Sequence, residues 1–428
     1  MRRPWSCLCP AGVVIFCQIY FCATVSAAGL SEAFSPQAPV VPFSNSPEAH
    51  PPQPKPKPKP KAVVITLVTV GQLQQWLVES RGVSDSELAQ QLSSLKLTEP
   101  LGGQELATMM AGLRGKKSRQ ALTAIADVSE FLDPPQAKLP TDAPPDSATQ
   151  TRMISLTESY LRKTLPKLPD FTATRTVVDY EEQLQYTEYG AVATYEDDPQ
   201  YSDHDNRIAN KPLQLSDRYK EKVLYRDGHE VTNAELQKNK TRGPEDRYLI
   251  TRGTFGPLLG WVDDAIAVPD SLTWNRWEQS GNERLAVFRY QVPVEKSRFQ
   301  IKGYCLPDGG EVKGFIKTTG YSGEIAIDPQ SGAILRLVFR ADLTAIPPLV
   351  RSDIMVEYGP VDIGGKTYIC PVRSVSLWRG RSVIPLSPSN KTIGTFGPYV
   401  TALNDMTFDH YQVFRSESRI LSSFQPVQ

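Results

Sequence analysis

The chain has 428 residues, of which 40% are apolar and 22% charged, so it is long enough to bury a sizeable core and predicts two domains with additional segments. Its 47 basic and 47 acidic residues give a formal net charge of zero. A chain with balanced charge lacks the electrostatic footprint of a nucleic-acid-binding protein, so we exclude nucleic acid as a partner.

The first 27 residues predict a cleaved signal peptide. Arg2 and Arg3 precede an apolar run of about 13 residues, and a small-residue cleavage motif ends at Ala27. The run is shorter than the roughly 20 apolar residues of a membrane helix, so no transmembrane segment is expected after cleavage. Retention as an uncleaved anchor and lipidation at Cys22 are the alternatives. We therefore expect an exported protein, in the periplasm or on the cell surface of a bacterium.

Residues 28–62 predict a disordered linker rich in proline and lysine. Proline and lysine alternate from Pro54 to Lys61. Alternating proline joins neither a helix nor a sheet interior, so an extended polyproline II segment is expected. Two interpretations stay open, a stiff cationic spacer that touches an anionic surface and a solubilising tether without a partner.

Residues 63–166 predict a small helical bundle. Ser84 opens a capping box with Glu87, and a stripe of leucines follows it. That stripe holds Leu88, Leu92 and Leu95. Later apolar stripes run up to a stop at Pro134-Pro135 and again over residues 146–165. We expect these stripes to form a shared core, and a groove for a protein partner is the alternative.

Residues 167–428 predict an antiparallel β domain, which makes the chain an α+β protein. Several segments alternate apolar and polar residues between short turns, a pattern typical of a curved sheet or incomplete barrel. One short helix is expected at residues 255–265, and the polar stretch from Leu184 to Pro212 is expected to be a loop. Strands are predicted at Asp170–Tyr180, Tyr219–Tyr225, Thr273–Glu278, Leu285–Tyr290, Phe299–Cys305 and Gly314–Thr319.

Two hairpins are the clearest elements of this β domain. Asp328-Pro329 opens a tight turn that Gly332 closes, because proline presets φ and glycine adopts the left-handed conformation. A second hairpin turns at Gly364-Gly365. The strand after the first turn is expected to place Leu335, Leu337 and Phe339 on one face.

The mature chain keeps two cysteines, because the other four leave with the signal peptide. An even number in an oxidising compartment favours a disulfide between Cys305 and Cys370. Two separate buried thiols are the alternative. No histidine motif accompanies either cysteine, so neither is predicted to be catalytic.

The sequence carries no recognisable motif for catalysis, a metal or a cofactor. The G-x-S-x-G, Walker, H-E-x-x-H and C-x-x-C patterns are all missing. Residues 203–205 (Asp-His-Asp) and Asp263-Asp264 are expected to be solvated charges, and His229 and His410 stand outside any motif. We therefore predict no catalytic residue, no metal and no cofactor. Enzymatic activity stays open, with the non-catalytic interpretation favoured, because distant side chains can converge.

Several segments resemble a family of uncharacterised exported bacterial proteins. In the β domain they are Phe288–Ser297, Gly323–Pro329 and Val356–Val375, and in the helical part Phe131–Pro135. The resemblance covers nearly the whole mature chain. It implies export and carries no established activity.

Residues 300–380, with the Asp-Pro-x-x-Gly hairpin inside a meander, are similar to lipoprotein carriers of the LolA/LolB type. Those proteins use a half-barrel that helices close around an apolar cavity. This resemblance implies an incomplete barrel with an apolar interior. No ligand-binding residue carries over by position.

Six aromatic residues in the β domain point to a ligand. They are Trp261, Trp274, Trp277, Phe288, Tyr290 and Phe315. They either fill the concave side of the sheet as core or line a cavity, because an open half-barrel leaves its inner face unfilled unless a helix covers it.

The sequence favours a non-catalytic exported envelope protein that binds an apolar ligand, such as a lipid, or a lipidated partner in a half-barrel. A structural or scaffolding module of the cell envelope, with a protein partner at the helical domain, is the alternative. An unrecognised hydrolase is the third hypothesis.

Overall fold

The structure of this chain is a computed structural model. It describes residues 66–164, 167–184, 210–226, 229–231, 257–268, 271–281, 283–305, 313–346, 348–385 and 394–414. The predicted signal peptide and linker, and most of the predicted polar loop, lie outside these residues. The described residues all belong to one compact unit, residues 62–428. None of their helices is long and apolar enough to span a bilayer.

Four helices and two short strands precede the proline-rich connection. They are β1 (Thr66–Val68), α1 (Val70–Glu79), α2 (Asp85–Leu92), β2 (Leu95–Leu97), α3 (Gly103–Gly112) and α4 (Lys116–Ser129). The pairing of β1 with β2 is parallel. The prediction that the helix with Leu88 and Leu92 extends to Leu95 is therefore wrong, because Leu95 lies in β2. Ser93 and Ser94 donate side-chain hydrogen bonds to carbonyls of the last turn of α2, which ends at Leu92.

A carboxylate of α2 caps α4. Ser84 caps α2 itself, as predicted. The residue before α4 is Gly115, which has no side chain that could cap the helix. Asp85 of α2 caps α4 instead. Its carboxylate accepts hydrogen bonds from the N–H groups of Lys117 (3.0 Å) and Ser118 (2.9 Å). Negative charge at the positive end of a helix is stabilising, so this contact fastens α2 to α4.

One open antiparallel sheet of ten strands dominates the rest of the described chain. In order of pairing they are β5 (His229–Val231), β4 (Asn210–Arg226), β3 (Phe171–Leu184), β14 (Gly394–Val413), β13 (Lys366–Pro385), β12 (Leu349–Ile363), β11 (Ile334–Ala341), β10 (Tyr321–Ile327), β7 (Glu283–Val292) and β6 (Leu272–Ser280). The edges are β5 and β6, and the sheet is not closed. The prediction of an α+β chain with a large antiparallel sheet is confirmed.

Two helices and a hairpin complete the described fold. They are α5 (Ser147–Thr164), α6 (Pro257–Ala267) and the pair β8 (Gln300–Cys305) and β9 (Lys313–Thr318). Strands β6 to β9 and helix α6 lie where the sequence predicts them. Strand β4 begins at Asn210, so it takes in the last residues of the predicted polar loop.

Alternation along the strands gives the sheet two different faces. The aromatic face, as we call it, carries Phe288, Tyr290, Leu337, Phe339, Ile354 and Val356. The opposite face, here the charged face, carries Glu324, Arg336, Val338, Met355, Arg373 and Asp405. Helices α5 and α6 and the β8–β9 hairpin pack on the aromatic face, and α4 packs on the charged face. Both faces of one sheet are therefore buried.

The connection over residues 133–146 passes from one face of the sheet to the other. It leaves α4 on the charged face, passes edge strand β6 and leads to α5 on the aromatic face. The indole Nε1 of Trp277 in β6 donates a hydrogen bond to the carbonyl of Ala143 (3.1 Å), and Arg284 of the neighbouring β7 pairs with Asp142 (3.1 Å). The predicted helix over residues 146–165 thus packs on the sheet beside α6 and not in a bundle with α1 to α4. The connection also protects an edge strand from pairing with other chains.

Both predicted hairpins are present, with the expected turn chemistry. The carboxylate of Asp328 accepts hydrogen bonds from the N–H groups of Gln330 (3.1 Å) and Ser331 (3.0 Å). Gly332 has a φ of 73°, and residues 364–365 have φ values of 64° and 81°. These left-handed conformations explain why glycine stands at each of these positions.

One face assignment after the first turn is wrong. Leu337 and Phe339 lie on the aromatic face as predicted, whereas Leu335 packs on the charged face. The pairing of β10 with β11 skips Leu335 between Ala326 and Ile327, so this residue forms a β-bulge. A bulge shifts the alternation by one residue, and strict alternation cannot foresee it.

The contact between the first hairpin and α5 gives a testable prediction. A Cβ atom at Gly332 would lie 2.4 Å from the backbone carbonyl carbon of Leu156 in α5, whereas one at Gly365 would meet no atom within 4 Å. We expect Gly365→Ala to lower the free energy of unfolding by about 1–2 kcal/mol through its positive φ alone. Gly332→Ala adds a backbone clash, so it should lower the free energy of unfolding by about 1–3 kcal/mol more than Gly365→Ala does. Urea unfolding measures both, and equal losses would contradict the placement of α5.

Candidate functional site

The structure brings five of the six predicted aromatic residues into one apolar core on the aromatic face. Phe288 and Tyr290 are buried, and Trp274, Trp277 and Phe315 are partly buried against them. The sixth, Trp261, lies in α6, and its side chain is outside the described residues. The structure therefore places these residues together, as either a core or a ligand site requires.

A bulge in β6 puts both of its tryptophans on the aromatic face. Trp274 pairs with Phe288 and Arg276 with Val287, so Asn275 is the extra residue. The ring centroids of Trp274 and Trp277 are 4.8 Å apart, and those of Trp274 and Phe288 are 5.4 Å apart, both edge-to-face. Such contacts favour a fixed arrangement at this edge of the sheet.

Separate elements from three parts of the chain cover the aromatic face. Helix α5 contributes Met153 and Leu161, α6 contributes Leu259, Val262 and Ala265, and the segment with β8 contributes Phe299 and Ile301. All of these side chains are buried. The aromatic face is thus covered in this structure by two helices and the two-stranded β8–β9 hairpin.

Two buried hydroxyl groups on the aromatic face have no hydrogen-bond partner within the described residues, those of Tyr358 and Ser374. Tyr358 is 5% exposed and Ser374 is 0% exposed. Ser374 pairs with Val356, so Tyr358 is its diagonal neighbour across β12 and β13. Burial raises the pKa of Tyr358 far above its ordinary value, and Tyr160 of α5 raises it further. An unsatisfied buried hydroxyl costs about 1–3 kcal/mol, so these two positions are polar spots in an apolar core.

A third hydroxyl on this face does have a hydrogen-bond partner. The hydroxyl of Tyr290 donates a hydrogen bond to the carbonyl of Val338 (2.7 Å). A Cβ atom at Gly323 would lie 1.9 Å from that carbonyl oxygen and 2.8 Å from the hydroxyl, so glycine leaves room for this bond. Tyr290 and Tyr358 thus share a face, and in the described structure only Tyr290 has a partner for its hydroxyl.

The structure does not show the predicted disulfide. Cys370 carries a free, buried thiol. Burial raises its pKa to about 12, so the thiol is protonated and unreactive at neutral pH. The side chain of Cys305 lies outside the described residues.

The polar residues considered for chemistry do not converge. Asp264 pairs with Arg298, and the exposed His410 lies 2.7 Å from the neighbouring Asp409. Residues 203–205 and the side chains of Asp263 and His229 lie outside the described residues. Within the described part, no group of three or more His, Cys, Asp and Glu side chains is arranged to hold a metal ion.

Arg373 on the charged face joins α4 to the sheet. Its guanidinium lies 2.6 Å from Asp127 in the last turn of α4 and 2.9 Å from Glu130, the residue that follows α4. It also reaches Asp405 at 3.4 Å and Glu357 at 3.7 Å. Four carboxylates therefore surround one arginine. Sequence reasoning missed this cluster, because its members come from four separate elements.

Burial sets the protonation of this cluster. It raises the pKa of Asp127 well above its ordinary value, and the charge of Asp405 adds to the effect, while Arg373 opposes it. Burial also raises the pKa of Glu130 and Asp405, again against Arg373. One oxygen of Asp127 has no hydrogen-bond partner. The cluster thus holds more carboxylates than one arginine neutralises, and it favours a bound proton.

A cleft of about 300 Å³ opens between the charged face and residues 134–139. Its arginines and glutamates bind one another. Glu324 accepts hydrogen bonds from Arg276 (2.7 Å) and Arg289 (3.2 Å), and Arg336 pairs with Glu278 (2.5 Å). Burial alone would raise the pKa of Glu324, but these arginines outweigh it and lower the pKa. The cleft is polar, and the charges of its arginines and glutamates neutralise one another. It therefore does not favour an apolar ligand.

Asp127 gives a prediction about pH. Its folded pKa is raised above the unfolded value near 3.9, so its contribution to stability is present below about pH 4 and is lost as the pH rises through the folded pKa. Asp127→Asn is neutral at every pH. Its free energy of unfolding, relative to the unsubstituted chain, should therefore rise between about pH 4 and pH 8 in urea titrations.

Asp328→Asn is the control with the opposite sign. Burial alone would raise the pKa of Asp328, but hydrogen bonds from Ser331 and Gln330 outweigh it and lower the pKa. Its contribution is present above the unfolded pKa, so Asp328→Asn should lose stability, relative to the unsubstituted chain, as the pH rises. Arg373→Met should lower the free energy of unfolding by about 3–5 kcal/mol, because it leaves buried carboxylates unpaired. A pH-independent effect of Asp127→Asn would contradict this account.

Comparison of the chain with protein-family models, with curated proteins and with solved structures finds no match.

Proposed function

We propose that this chain is a non-catalytic, exported envelope protein that binds an apolar ligand with a hydrogen-bonding group, such as a lipid, or a lipidated partner. The ligand would bind against the aromatic face, beneath the elements that cover it. The predicted signal peptide supports export to the periplasm or the cell surface. The similarity of residues 300–380 to LolA/LolB-type carriers supports a carrier function for this face.

The unpartnered hydroxyls of Tyr358 and Ser374 carry the proposal. They lie in a mainly apolar core that also buries Ser352 and Ser376, and each is costly to leave without a hydrogen bond. Ligand sites are mostly apolar and contain a few polar groups that fix the orientation of the ligand. A long-chain molecule with a carboxyl, ester or hydroxyl group matches this combination, with its chain against the aromatic residues and its polar group at Tyr358.

We expect such a ligand to reach the aromatic face by displacing elements that cover it. Helix α6 has 11 residues and the strands β8 and β9 have 6 each. Elements of this length have little stability of their own and depend on the face they cover. A ligand with comparable apolar surface can replace their contacts, and their displacement leaves the ten-stranded sheet intact.

Tyr358→Phe tests the proposal. Without ligand it should be neutral or stabilising, because it removes an unsatisfied hydroxyl. It should weaken the binding of a fluorescent long-chain fatty acid about tenfold, the loss of one hydrogen bond of about 1.4 kcal/mol. Titration of the probe measures affinity, urea unfolding measures stability, and native mass spectrometry of the gently extracted chain identifies any ligand that copurifies.

Tyr290→Phe is the matched control on the same face. Its hydroxyl already has a partner in Val338, so its loss should lower stability by about 1 kcal/mol and leave the affinity for the probe unchanged. The proposal fails if the unsubstituted chain neither binds the probe nor copurifies with a ligand. It also fails if the two variants weaken binding equally.

A scaffolding module is the second candidate, and the helical part favours it. A groove of about 540 Å³ is lined by Leu67, Trp76 and Leu95, and Leu67 is 66% exposed. Polar side chains, among them Gln72, Gln75 and Glu79, line the rest of the groove, and an exposed groove of this mixed character suits a protein partner. A chain that binds no apolar probe would leave this candidate in place. The hydrolase hypothesis has no converging residues to support it among those described.

A further inference from the structure

Alternation along β12 and β13 places the charged neighbours of Tyr358 and Ser374 on the opposite face of the sheet. Glu357 precedes Tyr358 in the chain, and Arg373 precedes Ser374. Both lie on the charged face, where the guanidinium of Arg373 is 3.7 Å from the carboxylate of Glu357. The sheet itself therefore separates the two hydroxyls from these charges.

Apolar side chains flank the two hydroxyls on the neighbouring strands. Ser374 lies between Val356 of β12 and Met406 of β14, and both of these residues are fully buried. Tyr358 pairs with Pro371 of β13. The positions directly opposite the two hydroxyls thus carry no charge.

The described titratable groups next to Tyr358 are uncharged at neutral pH. Tyr160 of α5 packs against the same apolar core. Cys370 precedes Pro371 in β13, and Tyr411 of β14 donates a hydrogen bond to the carbonyl of Pro371 (2.5 Å). Burial raises the pKa of Tyr160 and that of Cys370 to about 12, and it raises the pKa of Tyr411 far above its ordinary value. All three groups therefore stay protonated and neutral.

A buried arginine on β3 is already held by carboxylates of the protein. Arg175 pairs with Phe408 of β14 across the strands. Its guanidinium lies 2.8 Å from Glu221 and 2.9 Å from Glu230. A ligand carboxylate would have to compete with both glutamates for it.

The arginines of the covering layer are paired as well. Arg162 of α5 lies 2.6 Å from Glu158, and Arg298, which precedes β8, pairs with Asp264 of α6. The side chains of Arg162 and Arg298 are 72% and 73% exposed, so these charges lie towards solvent and not in the core.

An ionised carboxylate is unfavourable in these surroundings. A charge in an apolar core loses its hydration, and a carboxyl group without a partner there takes up a proton instead. A neutral carbonyl oxygen avoids this cost and accepts a hydrogen bond from the hydroxyl of Tyr358. Burial raises the pKa of Tyr358 far above its ordinary value, so this hydroxyl keeps the proton that it donates.

We propose that the aromatic face binds the polar group of its ligand in an uncharged state, so that it selects neutral acyl esters and admits a fatty acid only in its protonated form. This inference rests on the function proposed for the aromatic face, because it concerns the same two hydroxyls. A fatty acid then takes up one proton from solvent when it binds, and an ester takes up none.

Titration of the full chain with two fluorescent probes of equal chain length, a fatty acid and its methyl ester, tests this inference. Between about pH 6 and about pH 8 the affinity for the acid should fall about tenfold per pH unit, because only the protonated acid binds. The affinity for the ester should stay constant over this range, which controls for any effect of pH on the protein. Sodium chloride should change neither affinity, since no ion pair forms with the ligand.

Tyr358→Phe should weaken the binding of ester and acid by the same factor, about tenfold, because both accept the same hydrogen bond. An acid that binds as tightly as the ester at about pH 8 overturns this inference and leaves the proposed function in place, since a cation would then hold the carboxylate. A loss for the acid alone in Tyr358→Phe overturns it as well. Binding of neither probe overturns the proposed function, and this inference with it.

Discussion

Burial of both faces of one open sheet is the constraint on which the rest of this structure depends. A sheet with apolar side chains on each side needs a covering layer on each side. Here α4 covers the charged face, and α5, α6 and the β8–β9 hairpin cover the aromatic face. Within the described residues, the connection over residues 133–146 passes the β6 edge between the two layers. The order of the helices in the chain follows from this requirement.

The two covering layers are held in different ways. On the charged face, Arg373 binds carboxylates of α4 and of the sheet, and removal of one partner from such a buried pair is costly. On the aromatic face the contacts are mainly apolar and come from separate elements, with two hydroxyls left unpartnered among the described residues. Apolar contacts are non-directional, and a ligand of similar surface can replace them. The same sheet therefore combines a fixed layer with one that we propose is exchangeable.

The hairpins were predictable because their turns depend on residues that are close in sequence. Features that depend on contacts between distant elements were not predictable. Asp328 and Gly332 specify their turn through hydrogen bonds and φ preferences within a few residues. Leu335 was assigned to the wrong face, because a bulge is decided by the pairing partner. The stripe on α5 predicts a buried face, and nothing in it indicates a sheet as the partner. The environment of Arg373 depends on four elements, so no spacing in the sequence could reveal it.

Native-state hydrogen exchange tests the central claim, that the layer on the aromatic face opens while the sheet and α4 stay folded. The account predicts that amides of α6 and of the β8–β9 hairpin exchange through an opening of lower free energy than amides of β12, β13 and β14. Amides of α4 should exchange with the sheet. If α6, the hairpin and the central strands all exchanged with one common free energy, equal to that of global unfolding, the exchangeable layer would be contradicted.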